Sequence, residues 1–112
     1  MLIIEYNSND GCHWPDGKIM DAVRCDWASA ERAGLQGNTY TRTVASALYI
    51  TALRLLVANG TIDPNLVKFI YIRSRDDLIE LTVDRRGYLD YWPEGFCDTD
   101  EKMLLELLGW RN

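Results

Sequence analysis

The sequence predicts an α/β fold of two or three layers, in which helices flank a mixed β-sheet. Short apolar runs alternate along the chain with segments whose apolar residues recur every three or four positions, as in a helix with one buried face. Two apolar runs flank one charged turn, which predicts an antiparallel hairpin added to parallel crossovers. We interpret residues 1–112 as a single domain, because 112 residues, 47% of them hydrophobic, suffice for one core.

The first elements are predicted to be a strand, a helix and an ambiguous segment. Residues 2–4, Leu-Ile-Ile, are typical of a short buried strand that ends at a polar turn. A Pro-Asp-Gly turn then opens a helix with Asp16 as its N-cap, and Gly34 ends it. The helix has an apolar stripe at Ile19, Val23, Trp27 and Ala30. In residues 35–42 a Thr-Tyr-Thr stretch favours a strand, whereas a preceding Gly-Asn pair weakens that interpretation.

Residues 44–59 carry the clearest helical pattern, and Asn59-Gly60 supplies a C-terminal stop. The predicted core face comprises Val44, Ala47, Leu48, Ala52, Leu55 and Leu56. Tyr49, Ile50 and Leu53 widen the apolar surface beyond one stripe. We therefore expect this helix to be central in the fold or covered on two sides.

The remaining elements are predicted to be a hairpin, a further strand and a last helix. Residues 67–72 and 78–83 form the two strands of the hairpin, and Gly87 suits a turn with positive φ. Residues 88–92 are interpreted as one more short strand. Asp98 is the expected cap of the last helix, with a glutamate three residues later. The buried stripe of that helix comprises Met103, Leu104, Leu107 and Leu108.

Charge and cysteine content exclude several classes of function. A net charge of -5 and scattered basic residues argue against direct binding of nucleic acid, which needs clustered Lys and Arg. No apolar run approaches the roughly 20 residues of a membrane span. Glu5 interrupts the apolar opening, so we expect no signal peptide. The 3 cysteines are widely spaced, which favours reduced thiols and a cytoplasmic location.

Most active-site patterns fail on this sequence. His13 is the single histidine, and a neighbour in sequence such as Cys12 is badly placed to form a catalytic pair with it. Together with Cys25 and Cys97 these residues lack the short paired spacing of structural zinc sites. No glycine-rich phosphate-binding loop is present. Glu5 ends a hydrophobic strand, where magnesium-binding acids of nucleotide hydrolases often lie. We expect no catalytic residue, no metal and no cofactor, and Glu5 is the one vestigial candidate for a nucleotide site.

Residues 44–109 resemble the C-terminal region of one ATPase family. The matching segments are Ile62-Asp63-Pro64, the strand through Ile72, Leu81-Thr82-Val83-Asp84, Gly87, and Trp92-Pro93-Glu94-Gly95-Phe96. They occur in the same order in the tail of predicted ABC-type ATPases related to the RecF and OLD (overcoming lysogenization defect) proteins. The family continues with Phe-Asp, where this chain has Cys97-Asp98. The resemblance implies that residues 44–112 correspond to this tail.

Residues 1–43 are similar to the same family in a more eroded form. Leu2-Ile3-Ile4-Glu5 stands where the Walker B strand is expected, and Cys12-His13-Trp14-Pro15 resembles the Leu-His-Pro of the loop that follows. Ala33-Gly34-Leu35-Gln36 resembles the Ala-Gly-Val-Gln that precedes the family's Thr-His-Ser switch. The resemblance therefore implies the C-terminal half of an ABC-type ATPase core.

The departures from this family imply a loss of catalysis. Tyr6 replaces the acid that activates water, and Tyr40 stands at the position of the switch histidine. These 112 residues contain neither the phosphate-binding loop nor the signature motif. Phosphoryl transfer depends on several charged groups held together. The resemblance thus implies a pseudo-ATPase half-domain that keeps the scaffold and at most Glu5 of the site.

We expect the chain to act by binding a protein, and the resemblance points to a full-length ABC-type ATPase as the partner. It would serve as a phage-encoded decoy against a host defence ATPase or as a host regulator. The candidates for the contact surface are Tyr49, Ile50, Leu53, Tyr91, Trp92 and Phe96, although aromatics beside Trp-Pro turns often pack in the core. A second hypothesis is a split ATPase that receives Glu5 from this chain. A third is a relic with no distinct role. The oligomeric state stays open.

Overall fold

A four-stranded mixed sheet and two α-helices make up the described part of the chain. The computed structural model describes residues 1–7, 11–12, 14–91, 93 and 96. The α-helices and strands in chain order are β1 (Leu2–Tyr6), α1 (Ile19–Leu35), β2 (Tyr40–Val44), α2 (Ala47–Ala58), β3 (Val67–Ser74) and β4 (Asp77–Leu81). Short 3-10 turns at Asp16–Lys18 and Pro64–Leu66 precede α1 and β3. The predicted α/β class is confirmed.

The strands lie in the order β2-β1-β3-β4. β1 is parallel to both of its neighbours, and β4 returns antiparallel to β3. The parallel pairs are joined through helices and the antiparallel pair through a tight turn, as the connection lengths require. The predicted combination of parallel crossovers and one hairpin is therefore confirmed.

One face of the sheet, here called the inner face, carries the hydrophobic core. Side chains alternate between the two faces along each strand, and Leu2, Ile4, Val67, Phe69 and Leu81 of this face are almost fully buried. Both helices lie on the inner face, because α1 packs on α2 and Asp26 of α1 bonds to side chains of both β2 and α2. Within the described residues, the core therefore lies between one sheet face and the layer formed by α1 and α2.

Helix α1 begins two residues later than the sequence indicates. Residues 16–18 form a 3-10 turn, and the residue before the helix is Lys18, which makes no side-chain cap bond. The expectation of Asp16 as the N-cap is therefore wrong in position. Gly34 lies inside the helix, which ends at Leu35. Of the predicted stripe, Ile19, Val23 and Ala30 are buried and Trp27 is half-buried.

Helix α2 begins at Ala47 and not at Val44, which is the last residue of β2. Ser46 caps the helix, since its hydroxyl accepts a hydrogen bond of 3.3 Å from the backbone N–H of Tyr49. Nine of the residues of α2 are buried, and they surround the helix axis. The prediction of a central helix is thus confirmed.

The β3–β4 hairpin is confirmed, and Gly87 has the predicted positive φ, at 82°. A Cβ atom at Gly87 would lie 2.5 Å from the carbonyl oxygen of Arg54 in α2. The carbonyl of Gly87 in turn accepts a hydrogen bond of 2.7 Å from Nε of Arg54. Residues 88–91 hold only an isolated bridge between Leu89 and Val83 in place of the expected strand. The expected last helix after Asp98 lies outside the described residues.

Candidate functional site

The face of the sheet opposite the helices, here called the outer face, is uncovered in the described part of the chain. It comprises Ile3, Glu5, Thr41, Thr43, Lys68, Ile70, Ile72, Leu78 and Glu80. All of these residues are half-buried or exposed, whereas the core residues of the inner face are almost fully buried. Sheets of parallel strands are normally covered on both faces. An uncovered face with aliphatic residues on β1 and β3 is therefore the main candidate for a binding surface.

The polar residues of the outer face neutralise one another only in part. Nζ of Lys68 lies 3.7 Å from a carboxylate oxygen of Glu80 across the hairpin. The hydroxyl of Thr43 donates a hydrogen bond of 3.1 Å to Oε1 of Glu5. Ile70 lies in register between Glu5 on one side and Glu80 on the other. The face thus combines an aliphatic centre with a surplus of carboxylates.

Glu5 lies on the outer face near the carboxyl ends of the parallel strands. Ligands of open α/β sheets are usually bound in that region. Within the described residues Glu5 is held by Thr43 of the neighbouring strand and is half-exposed. No group of three or more His, Cys, Asp or Glu residues within the described ranges could hold a metal ion. Glu5 is therefore an isolated carboxylate, held in place by one hydroxyl.

Tyr6 and Tyr40 both have contacts within the fold. The ring of Tyr6 packs in an edge-on arrangement against Phe96, with centroids 5.3 Å apart, and lies 5.8 Å from the ring of Tyr71. The hydroxyl of Tyr40 donates a hydrogen bond of 3.0 Å to Oδ1 of Asp26. Tyr6 and Tyr40 stand at the two positions where the resemblance places the catalytic side chains of the family. In this chain both tyrosines take part in contacts within the fold.

A buried polar cluster joins α1, β2 and α2. Oδ1 of Asp26 accepts a 2.8 Å bond from Nη2 of Arg42 in addition to the bond from Tyr40. Oδ2 accepts a 2.6 Å bond from the hydroxyl of Tyr49. Asp26 is only 2% exposed, so the carboxylate depends on these three donors in place of water. The cluster fixes the position of both helices relative to the edge strand.

Arg42 extends this cluster to the surface. Its guanidinium lies 5.8 Å from the centre of the Trp14 ring, and that ring stacks on Tyr49 with centroids 5.1 Å apart. Nη1 of Arg42 lies 3.9 Å from Sγ of Cys12. Nε of Arg42 is buried without a hydrogen-bond partner in the described residues, which costs about 1–3 kcal/mol. The ion pair with Asp26 and the contact with the Trp14 ring act against this cost.

The ionisation of two groups reflects this arrangement. Burial and the hydrogen bond to Asp26 raise the pKa of Tyr49 far above its usual value, so the phenol stays protonated. The hydrogen bond to the same carboxylate raises the pKa of Arg42, which stays cationic. The cluster therefore holds a protonated Tyr49 phenol and a cationic Arg42 guanidinium against the side chain of Asp26.

The contact residues expected from the sequence are mostly in the core. Tyr49, Ile50, Leu53 and Phe96 are each 0% exposed, so the expectation of a surface made by these four is wrong. Their apolar side chains fill the space between the sheet and the helices, where burial is more favourable than exposure. Tyr91 is 57% exposed, so its place in a contact surface stays a prediction. Trp92 lies outside the described residues.

The expected cysteine and histidine group is described only in part. Cys12 and Cys25 are free and exposed. His13 and Cys97 lie outside the described residues. Neither α-helix in the described part of the chain is long and apolar enough to cross a membrane.

A second apolar surface, which the sequence analysis missed, lies at the amino end of the parallel strands. A groove of about 360 Å³ is lined by Met1, Trp27, Leu35 and Leu66 with a few smaller or polar residues. Leu35 is 89% exposed. The sequence signal for this groove was Leu35. This apolar residue directly follows the predicted helix end at Gly34, where it has no predicted partner in the core.

No protein-family model, curated protein or solved structure matches this chain.

Proposed function

We propose that this chain is a non-catalytic protein-binding domain whose partner covers the outer face. The observation that supports this proposal is the aliphatic group of Ile3, Ile70, Ile72 and Leu78, which lies on the face of the strands that none of the described elements covers. Covering apolar surface of this kind is favourable by about 25 cal/mol per Å². A partner that packs on it would complete the second layer that parallel strands usually have.

We propose an ABC-type ATPase as the partner, on the basis of the family resemblance. A half-domain that keeps the scaffold without the catalytic groups could occupy the place of the corresponding half in a full-length ATPase. It would then act as a decoy or as a regulator. Tyr6 and Tyr40 support the absence of catalysis, because both have packing or hydrogen-bonding partners inside the fold. The free thiols of Cys12 and Cys25 fit a cytoplasmic location.

Capture of partners by matched variants tests this proposal. The tagged chain would be used to capture proteins from its native cell, beside Ile70→Lys on the outer face and Leu35→Lys at the amino-end groove. A lysine at position 70 lies between Glu5 and Glu80, so the fold tolerates its charge. We expect one ABC-type ATPase to be recovered with the wild type and with Leu35→Lys, and lost with Ile70→Lys.

Two results would contradict the proposal. Recovery of the same protein with Ile70→Lys, at unchanged yield, would show that the outer face is not the contact. Recovery of no ATPase with the wild type or either variant would rule out an ABC-type ATPase as the partner. It would favour the hypothesis that the chain is a relic with no distinct role. Circular dichroism of each variant controls for loss of fold.

The position of Glu5 favours a second candidate, the split ATPase. Glu5 lies near the carboxyl ends of parallel strands and is reachable from solvent. A partner with a phosphate-binding loop would supply the groups that this chain lacks. ATP hydrolysis that appears only when the two proteins are mixed, and falls with Glu5→Gln, would establish this candidate. An unchanged rate with Glu5→Gln would exclude a catalytic role for this side chain.

A further inference from the structure

A small cavity of about 180 Å³ lies between helix α2 and the turn formed by residues 84–88. Its wall on α2 comprises residues 51, 54, 55 and 58, which follow the three- and four-residue spacing of one helix face. Its wall on the turn comprises Arg86, Gly87 and Tyr88. The polar side chains of the cavity are those of Thr51, Arg54, Arg86 and Tyr88. We call this cavity the cationic pocket, because it is lined by two arginines.

The walls of the cationic pocket are held in place by the fold. A Cβ atom at Gly87 would lie 2.5 Å from the carbonyl oxygen of Arg54, so the turn packs directly on α2. Nε of Arg54 donates a 2.7 Å bond to the Gly87 carbonyl. Oδ1 of Asp84 accepts bonds of 2.8 and 3.0 Å from the backbone N–H groups of Arg86 and Tyr88. A ligand would therefore meet a site that is already formed.

The pocket carries positive charge, although the whole chain has a net charge of -5. Arg54 is only 8% exposed, and guanidinium groups keep their charge in proteins. Among the described residues, no acidic side chain lines the cavity. The one acid of the turn, Asp84, already accepts two backbone N–H groups. The carbonyls of residues 55–57, at the end of α2, accept N–H groups of residues 59–62, which reduces their repulsion of an anion.

The donors of the pocket fit a phosphate group better than a carboxylate. Guanidinium groups bind both anions through paired N–H donors. Thr51 and Arg54 approach from α2, and Arg86 and Tyr88 approach from the turn, so donors come from two sides of the cavity. A tetrahedral phosphate has acceptor oxygens in several directions, whereas both oxygens of a carboxylate lie in one plane. The volume is below the roughly 300 Å³ at which pockets for larger organic ligands begin, so it suits one small anionic group.

We propose that the cationic pocket binds a phosphate group, either as inorganic phosphate or as the phosphate of a small monoester. Arg54 and Arg86 supply the charge, and the hydroxyl groups of Thr51 and Tyr88 add donors. Tyr88 is 59% exposed and Arg86 is exposed, so the ligand enters from solvent at the turn. This site does not depend on the proposed function, because none of its residues lies on the outer face.

Titration of the full chain with phosphate, followed by the amide NMR signals of Gly87 and Tyr88, tests the site. The probes are inorganic phosphate, glycerol phosphate and acetate, each added at constant ionic strength. We expect saturable shifts with both phosphate compounds, and a dissociation constant for acetate that is at least about tenfold weaker. Tighter binding of glycerol phosphate than of inorganic phosphate would support a phosphorylated small molecule as the source. Equal binding of the two would support free phosphate.

Two adjacent arginines provide matched variants, because Arg86 lines the cationic pocket whereas Arg85 lines a different groove. Both side chains are exposed, so we expect both Gln variants to fold. Each substitution removes one positive charge from the same turn. Arg86→Gln should weaken phosphate binding at least about tenfold, and Arg85→Gln should change it less than about threefold. Tyr88→Phe removes one hydroxyl and should weaken binding about threefold.

Three results would overturn the proposal. The first is the absence of saturable shifts with both phosphate compounds. The second is an equal loss of affinity in Arg86→Gln and Arg85→Gln, since the anion would then respond to the net charge of the turn and not to the pocket. The third is binding of acetate as tight as that of phosphate, which would exclude phosphate as the preferred group. Circular dichroism controls for loss of fold. If Arg86→Gln does not fold, Tyr88→Phe decides, and an unchanged dissociation constant there would overturn the site.

Discussion

The hydroxyl of Tyr49 donates a hydrogen bond of 2.6 Å to Oδ2 of Asp26, and this bond joins α2 to α1 inside the core. The same carboxylate binds Arg42 and Tyr40 of β2 through its other oxygen. One acidic side chain therefore connects three elements that are far apart in sequence. Stability is expected to be unusually sensitive to its charge.

Replacement of Asp26 by Asn should lower the free energy of unfolding by about 2–3 kcal/mol. The amide keeps the shape of the side chain but removes the charge that pairs with Arg42. Its NH2 group also takes the place of an oxygen that accepts a hydrogen bond, so two donors face each other. Urea unfolding measures the change. Glu31→Gln is the matched control, because Glu31 is an exposed acid of the same helix and should change the value by less than about 0.5 kcal/mol. Equal values for both variants would contradict a structural role of the cluster.

The raised pKa of Tyr49 predicts a loss of stability at alkaline pH. In the unfolded chain the phenol ionises near its ordinary pKa of about 10, whereas in the native state it stays protonated well above that pH. Its contribution is therefore complete below about pH 10 and is lost as the pH rises further, by up to about 1.4 kcal/mol per pH unit. Urea unfolding of wild type and Tyr49→Phe between pH 8 and 11 measures this slope. The difference between the two proteins should shrink with rising pH, and a constant difference would show that the phenol ionises equally in both states.

Gly87→Ala should destabilise the protein more than Gly37→Ala. Both glycines have a positive φ, at 82° and 73°, so both substitutions carry the conformational cost of about 1 kcal/mol. Only at Gly87 would the added Cβ meet backbone, at 2.5 Å from the Arg54 carbonyl oxygen, while nothing lies within 4 Å of a Cβ at Gly37. We expect an extra loss of about 1–3 kcal/mol for Gly87→Ala in thermal or urea unfolding. Similar losses would mean that the turn moves away from α2 at little cost.

Two aromatic residues that the sequence groups as contact candidates should behave differently on truncation. Phe96 is buried against Tyr6 and Tyr71, with ring centroids 5.3 and 5.2 Å away. Phe96→Ala should therefore cost about 3 kcal/mol of unfolding free energy. Tyr91 is 57% exposed, so Tyr91→Ala should cost less than about 0.5 kcal/mol. A small loss for Phe96→Ala would instead fit the surface role first expected for it.

Much of the sheet was predictable because its strands are marked by local patterns. The apolar opening at β1 and the two runs of the hairpin are bounded by turn residues, and both were assigned correctly. The assignment of Val44 to helix α2 was wrong, because this apolar residue continues the helical spacing of apolar positions backwards into β2. The cap at Ser46 was the signal for the true start, since serine before a helix satisfies the first N–H groups.

The candidate sites were harder to predict because they depend on tertiary placement. Along β3 the residues at 67, 69 and 71 and those at 68, 70 and 72 both contain aliphatic side chains. The alternation therefore does not say which face the helices cover. The Asp26 cluster brings together residues from α1, β2 and α2, and no spacing in the sequence indicates that they meet. Tyr49 illustrates the consequence, since its ring is in the core and its hydroxyl is at the centre of a polar network.

The two edges of the sheet differ, and this difference bears on aggregation. β4 is a strand of five residues that carries Asp77 and Glu80, and its register with β3 shifts between Ile72 and Ser74. Charges and irregular register are the features that stop strands from adding to an edge. Strand addition is therefore disfavoured at the β4 edge, and we expect the sheet not to propagate as a fibril through β4.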